Sequence, residues 1–402
     1  MKPTRHAHNF AGIFFADHRV IWATAYADRS INAPKYPGMT FDLNPNFVAH
    51  ENERAHSFET AGKSVEERIH TAVALIKDSL KNHFTDLKAV TTATIGPFEN
   101  GRSGDWGGGK IIEGARSTEW SGKDVYSLTK EAFAKAGHPR INLHCLTDAE
   151  AMVAGEHYFY RHNILKPLQE EIQADKSGAA GTRYSDREKN LGEDTVAYLL
   201  VDQGVGGAVF RWNDFIRGHA SLELGHLPLF PYPDLKIAQR CPENSCGAHY
   251  LPCAEGTIAF PALKESWGLS REDLFKLDKD SDQFTAIAYF IAQTVQQIVF
   301  SHTPKVVLIG GGVFDILQSA TDGAFVNEIR YHYKGLSLNR RAASPQYFPH
   351  YEAPYNDEEF IKAWTQRDAG VLGCLVWSFR LDTDGRTSAI TRQVRKDAGA
   401  RH

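Results

Sequence analysis

Apolar residues along this chain follow two rhythms, short continuous runs and a helical stripe, which alternate over most of its length. Residues 9–26 are rich in Ile, Phe, Val and Trp and predict two buried strands around a turn at Ala16-Asp17-His18-Arg19. Ser64-Val-Glu-Glu67 has the form of a capping box, and it opens a helix with the apolar face Ile69, Val73, Ile76 and Leu80. A strand over 89–95 stops at Gly96-Pro97, and a helix over 124–136 is closed by Gly137. A strand over 141–146 runs into a helix that begins at Thr147-Asp148 with a capping pair. Later, 195–201 is an apolar strand leading to the turn Gly204-Val-Gly206-Gly207, and 283–300 is a long apolar helix stopped by Thr303-Pro304. A buried strand over 305–309 then opens into Gly310-Gly311-Gly312, and 368–373 fits a closing helix.

This alternation predicts an α/β protein, and 402 residues suffice for two cores. The expected division is an N-terminal α/β domain over 1–143, a C-terminal α/β domain over 144–383 and a flexible tail over 384–402. A polar, charged insertion interrupts the second domain at about 161–194, and 101–109 has the composition of a flexible loop. The formal charge of −4 provides no net positive field to draw nucleic acid or an acidic membrane surface. No apolar run reaches the roughly eighteen residues of a membrane span, and the N-terminus lacks the apolar core of a secretory signal. An odd number of cysteines, five, fits a reducing compartment, so the expectation is a soluble cytoplasmic enzyme.

Chemistry concentrates at 201–255. Cys241, Cys246 and Cys253 fall within thirteen residues, in the spacing Cys-x4-Cys-x2-His-x3-Cys, after His226 in a Glu-Leu-Gly-His run. Three thiolates and an imidazole are a common tetrahedral set for structural zinc. The expected ligands are His226, Cys241, Cys246 and Cys253, with the choice between Cys246 and His249 left open; the competing reading is a few buried free thiols. Asp148 alone reads as a first-turn carboxylate favoured by the helix dipole. Glycine turns such as 204–207 are by themselves weak signals for phosphate.

Taken together, Glu223-Leu-Gly-His226, the cysteines ending in Cys253-Ala-Glu255-Gly, Gly204-Val-Gly-Gly-Ala and Arg217-Gly resemble the ROK family of sugar kinases and repressors, most closely its fructokinase branch. The resemblance implies a two-domain actin-like, ribonuclease-H-like sugar kinase fold with a zinc-binding loop. It implies that His226 and the cysteines hold zinc, that Glu223, His226 and Glu255 serve a sugar's hydroxyls, and that Gly96-Pro97 lies beside the sugar. Asp148 matches the family's catalytic base, Thr147 stands where asparagine is usual, and Glu156 takes the family's place further along the helix. Gly204, Gly206 and Gly207, with Gly310, Gly311 and Gly312, match the nucleotide side.

Two departures fall on the phosphate elements. An Asp-x-Gly-Gly-Thr loop is expected at the first hairpin turn, yet Phe14 replaces the aspartate and Ala16, Asp17 and His18 replace the glycines and threonine. The second phosphate element should begin Gly-Thr-Gly and instead reads Asp202-Gln203-Gly204. Both changes place a carboxylate near the path of an anion. The leading expectation is a transferase that phosphorylates a hexose-type sugar with Mg-ATP and Asp148 as base. The alternative is a kinase-inactive sugar-binding protein, or a non-phosphorylating enzyme using Asp148, Glu223 and Glu255 as acid and base. A repressor is disfavoured, since no helix-turn-helix pattern precedes Asn9. The expected partner is a small-molecule sugar, with no nucleic acid and no membrane; a homodimer is left open.

Overall fold

The computed structural model describes residues 7–16, 19–28, 55–99, 108–112, 119–160, 195–211, 214–218, 221–232, 241, 246, 252–337, 360–364 and 368–379. Asp17, His18, His249, most of the loop at 101–109, the insertion at 161–194 and the tail at 384–402 lie outside the described residues. The chain forms two units: Met1–Leu168 with His219–Ser221 and Gln366–His402, and Gln169–Gly218 with Leu222–Thr365.

In the first unit, β1 (Ala7–Phe15), β2 (Arg19–Asp28), β3 (His56–Glu59), β4 (Leu87–Thr94) and β5 (Asn142–Thr147) form one sheet in the order β3-β2-β1-β4-β5. The expected hairpin is present: β1 and β2 pair antiparallel, and the Ala16 amide donates to the Arg19 carbonyl at 3.0 Å across the turn. β1–β4 and β4–β5 are parallel pairs. Helix α1 (Val65–Leu80) starts at the predicted capping box, with Ser64 and Glu67 bonded reciprocally, and buries Ile69, Val73 and Ile76. Helix α2 (Val125–Lys135) is capped by Asp124 and buries Phe133. Helix α3 (Asp148–Tyr160) leaves the end of β5 directly, and it counts with the first unit, as does the closing helix Ala369–Phe379.

Two glycines explain how those last helices pack. A methyl group at Gly155 would collide with the Ala369 carbonyl, and one at Gly373 with the Ala151 carbonyl. The backbones therefore touch with no side chain between them. The closing helix is fixed to the sheet by Ser378, whose Oγ is 2.9 Å from the Ala11 carbonyl and from Thr91 Oγ1.

The second unit repeats the plan. Strands β6 (Val196–Val201), β7 (Val205–Arg211), β8 (Asp214–Phe215), β9 (Val306–Gly310) and β10 (Ile361–Ala363) form a sheet in the order β10-β9-β6-β7-β8. In both units the first three strands form an antiparallel meander and the last two add in parallel beside the first. After β8 come the short helices α4 (Ala254–Ile258), α5 (Phe260–Trp267) and α6 (Arg271–Leu274), then α7 (Asp282–His302), with α8 (Gly312–Ala320) and α9 (Ala324–Ser337) after β9. Among the described residues, α7 alone is long and apolar enough to cross a membrane, but 67% of its apolar window is buried, as in a core helix. It lies in one apolar core with Leu199, Val209, Ile309 and Phe314.

Candidate functional site

In the first unit, the parallel strands β4 and β5 both end at residues singled out by sequence. A methyl group at Gly96 would stand 2.7 Å from Thr147 Cγ2, so the Gly96-Pro97 turn lies directly against the β5–α3 junction. That junction is held reciprocally: Thr147 Oγ1 accepts the Glu150 amide at 3.2 Å, and Glu150 Oε2 accepts the Thr147 amide at 3.0 Å. Glu150 is buried and also accepts Ser221 Oγ at 3.2 Å. Asp148 follows as the first residue of α3, half-buried, with Oδ1 2.7 Å from the Ala149 amide. A carboxylate there meets the positive end of the helix dipole, which favours its negative charge. Glu156, on the same helix, is buried.

The first hairpin has no glycine at its turn. Phe14 turns its ring onto the closing helix, where a methyl group at Gly370 would overlap the ring. An aromatic side chain thus fills the position at which the resemblance expects an aspartate.

In the second unit, Glu223 opens a 3-10 turn, Leu224–His226. Gly225 lets this turn press on the start of β7, since a methyl group there would collide with the Val205 carbonyl. Nε2 of His226 lies 3.8 Å from Glu223 Oε2, and its Nδ1 faces sulfur: 3.4 Å to Cys246 Sγ and 3.9 Å to Cys253 Sγ. Cys241 Sγ is 3.3 Å from Cys253 Sγ. His226, Cys246 and Cys253 keep their donor atoms within 4.8 Å of one another, and Cys241 adjoins them through Cys253. A tetrahedral zinc with bonds of about 2.3 Å to sulfur and 2.0 Å to nitrogen needs donors about 3.5–3.8 Å apart. The donor set and spacing therefore fit such an ion. Burial raises the Cys241 and Cys253 thiols above their ordinary range, so without a cation they stay protonated.

Two carboxylates flank the cluster. Glu255, two residues beyond Cys253, accepts the Val205 amide at 3.0 Å and leaves no room for a side chain at Gly204, where a methyl group would come within 2.8 Å of its Oε2. Burial raises Glu223, the attraction of His226 opposes that, and the nearby Glu255 charge adds to the rise. The β6–β7 turn, the metal-ligating candidates and both glutamates are thus one connected assembly.

The remaining glycines lie in β7 and where β9 runs into α8. A side chain at Gly207 would meet Leu224 and the Tyr198 carbonyl, and one at Gly310 would meet the Tyr198 hydroxyl and the Trp364 ring. Gly311 adopts φ of 100° against the Val201 carbonyl, 2.5 Å from where a Cβ would stand. Close packing is reason enough for these glycines, and Gly206 is half-buried among them in β7. Three residues that sequence reasoning missed gather at the same edge. Arg271 Nη2 lies 3.4 Å from Asp202 Oδ1 with its guanidinium 4.3 Å over the Phe260 ring, and Trp364 Nε1 donates to Asp315 Oδ1 at 2.6 Å. Burial pushes the Asp315 carboxyl up to about 6, opposed by the Trp364 hydrogen bond and aided by the charge of Asp202. The available signals were a Ser270-Asp273 capping box around Arg271 and an acid in the first turn after the glycines.

The ROK family model matches residues 166–378, more than half of the 402. The chain is 27% identical over 127 residues to a putative fructokinase of Bacillus subtilis (strain 168), a match covering 32% of this chain. The chain spans only 40% of the length of that relative. The ROK hexokinase of Thermus thermophilus superposes with a TM-score of 0.58 at 18% identity, over 94% of this chain and 99% of that one. A ROK family glucokinase from Streptomyces griseus, solved with glucose and AMPPNP, gives 0.52 at 14% identity, over 92% of this chain and 99% of that one. The two similar five-stranded units are thus the actin-like α/β fold of ROK sugar kinases. With the profile matched over most of the second unit and the fold shared nearly end to end, the chain belongs to the ROK family.

Proposed function

We propose that this chain transfers a phosphoryl group from ATP to a hydroxyl of a hexose-type sugar, with Asp148 as general base. The observation that carries the reading is the half-buried Asp148 carboxylate at the C-terminal edge of parallel strands, on a junction braced by Thr147 and Glu150. Open α/β sheets bind ligands at that edge. A sugar hydroxyl is a poor nucleophile at neutral pH, and a carboxylate that accepts its proton during transfer contributes about 10²–10⁴-fold. Fructokinase, hexokinase and glucokinase relatives support the reaction class.

In this reading Gly96, Pro97, Thr147, Glu223, His226 and Glu255 receive the sugar. Glu223 and Glu255 supply acceptors for paired hydroxyls, which select against sugars that leave those acceptors unmet. His226, Cys241, Cys246 and Cys253 hold a structural zinc that fixes the segment presenting Glu255. Gly204, Gly206, Gly207 and Gly310, Gly311, Gly312 lie on the nucleotide side, where magnesium would neutralise phosphate charge. The cytoplasm is the proposed compartment, consistent with five cysteines that are not joined in disulfides.

One observation favours a second reading, a sugar-binding protein without kinase activity. Phe14 and Asp202 occupy the positions where phosphate-binding groups are expected, and the Phe14 ring is packed against Gly370 rather than open to a ligand. Thermal-shift measurement over a hexose and amino-sugar panel, with and without Mg-ATP, separates the two. The kinase reading expects a sugar to raise the melting temperature and Mg-ATP to add to it. A sugar shift untouched by millimolar Mg-ATP would support the second reading.

A further inference from the structure

The edge formed by β6, β9 and α8 has the features that attract an anion. Two parallel strands end there, α8 begins there without a side-chain cap, and the Arg271 guanidinium stands over it. Its first helical residue, Gly312, is crowded by three groups at once. A methyl group there would stand 2.9 Å from Asp202 Oδ1, 3.0 Å from the Phe260 ring and 3.3 Å from Arg271 Nη2. Asp202 and Arg271 therefore meet over the first turn of α8, 3.4 Å from each other. The backbone fixes Asp202 on both sides: its amide donates to the Gly204 carbonyl at 2.8 Å, and its carbonyl accepts the Phe260 amide at 2.9 Å.

From this convergence we infer that Asp202 is a specificity-determining residue of the donor site, a built-in anion whose carboxylate occupies the place between Arg271 and the start of α8 that a donor phosphate would take. The inference rests on the reading that a nucleotide is the phosphoryl donor. Arg271 and the helix terminus each favour one negative charge, and Asp202 already supplies it. An entering polyphosphate has to separate the carboxylate from the guanidinium, or bind beside a like charge. Asp315 adds to the demand from the first turn of the same helix, because its buried carboxyl already senses Asp202. Donor binding is therefore weaker than the fold allows, and Arg271 becomes a phosphate ligand only when Asp202 releases it.

The test is calorimetric titration of the full chain with ADP and with a non-hydrolysable ATP analogue, each with and without magnesium. The proteins are the wild type, Asp202→Asn, Asp202→Gly, and Asp202→Gly combined with Arg271→Ala. Asp202→Asn keeps the side chain's shape, so a folding defect in the glycine variant does not end the test. Both single variants should bind nucleotide at least tenfold more tightly than the wild type, and adding Arg271→Ala should reverse most of the gain. Wild-type binding that is unchanged or weakened in both single variants overturns the inference and leaves the kinase reading standing; a loss confined to magnesium-containing titrations would mark Asp202 as a metal ligand instead. Failure of the wild type and every variant to bind at millimolar nucleotide removes the kinase reading itself, and the inference with it.

Discussion

Around His226 four donors of one kind meet: three thiol sulfurs and an imidazole nitrogen, at separations of 3.3, 3.4 and 3.9 Å, two of the thiols raised by burial. Around Gly312, in the same unit, groups of opposite kind meet, with the Asp202 carboxylate against the Arg271 guanidinium and the Asp315 carboxyl under the Trp364 N–H. The first group gains from an outside cation, because nothing among its members supplies positive charge except a protonated histidine. The second is already balanced and resists an outside anion. Charge balance separates the two places: one gathers donors that a cation would join, the other already pairs its charges.

The largest effect expected concerns the proposed base, Asp148, which depends on neither region. Asp148→Asn should lower turnover about 10²–10⁴-fold while sugar affinity stays within a few fold, as checked by kinetics beside calorimetry. Undiminished turnover would remove Asp148 from the chemistry. Next comes the donor cluster itself. The purified protein should carry about one zinc per chain, and Cys253→Ser should abolish it. Loss of roughly 3 kcal/mol of metal-linked stability would lower the melting temperature by about 6–12 °C at about 2–4 °C per kcal/mol for a unit of this size. Elemental analysis and calorimetry read both, and a folded, metal-free wild type would erase the contrast.

A gentler probe is Gly256→Ala. The added methyl would collide with Cys241 Sγ and lie 2.8 Å from its Cβ, which displaces one sulfur without deleting any. Zinc affinity should fall about tenfold, about 1.4 kcal/mol, in a chelator competition. Unchanged affinity would exclude Cys241 from the ligand set.

Much of the fold was legible because its signals are local. The Ser64 capping box, the long helix α7 and the strand-to-helix junction at Asp148 each lie within a few residues, where propensity and spacing decide the outcome. The cysteine cluster could be read because its ligand types recur at short spacing, and His226 joined it through a motif. Pairings set by topology could not be read. Asp202 meets Arg271 across 69 residues and Asp315 meets Trp364 across 49, and no periodicity connects such positions. The same holds for Gly155 and Gly373, which show their purpose only when two helix backbones are seen in contact. The triple glycine at 310–312 matched the nucleotide side of the family resemblance, whereas Tyr198, Trp364 and Val201 give Gly310 and Gly311 a packing role as well.

A last expected effect is the pH response of the self-balanced region. In the folded chain the Asp315 carboxyl is raised from 3.8 to about 6, so between these values the unfolded chain releases a proton that the folded chain keeps. Stability from this group is complete below about pH 4 and is lost as pH rises through about 6. Asp315→Asn keeps an acceptor for Trp364 and should flatten that part of the stability profile by on the order of 1–3 kcal/mol in denaturant titrations. An identical slope in both proteins would show that Asp315 titrates normally.

The proposed activity is phosphoryl transfer to a sugar through Asp148. Phosphorus NMR of the wild type with a hexose panel and Mg-ATP tests it most directly, with Asp148→Asn run in parallel. The predicted result is a sugar phosphate and ADP appearing in equal amounts with at least one hexose, and both forming about 10²–10⁴-fold more slowly in the variant. A wild type that binds a hexose in the thermal-shift panel yet leaves ATP intact throughout would contradict it.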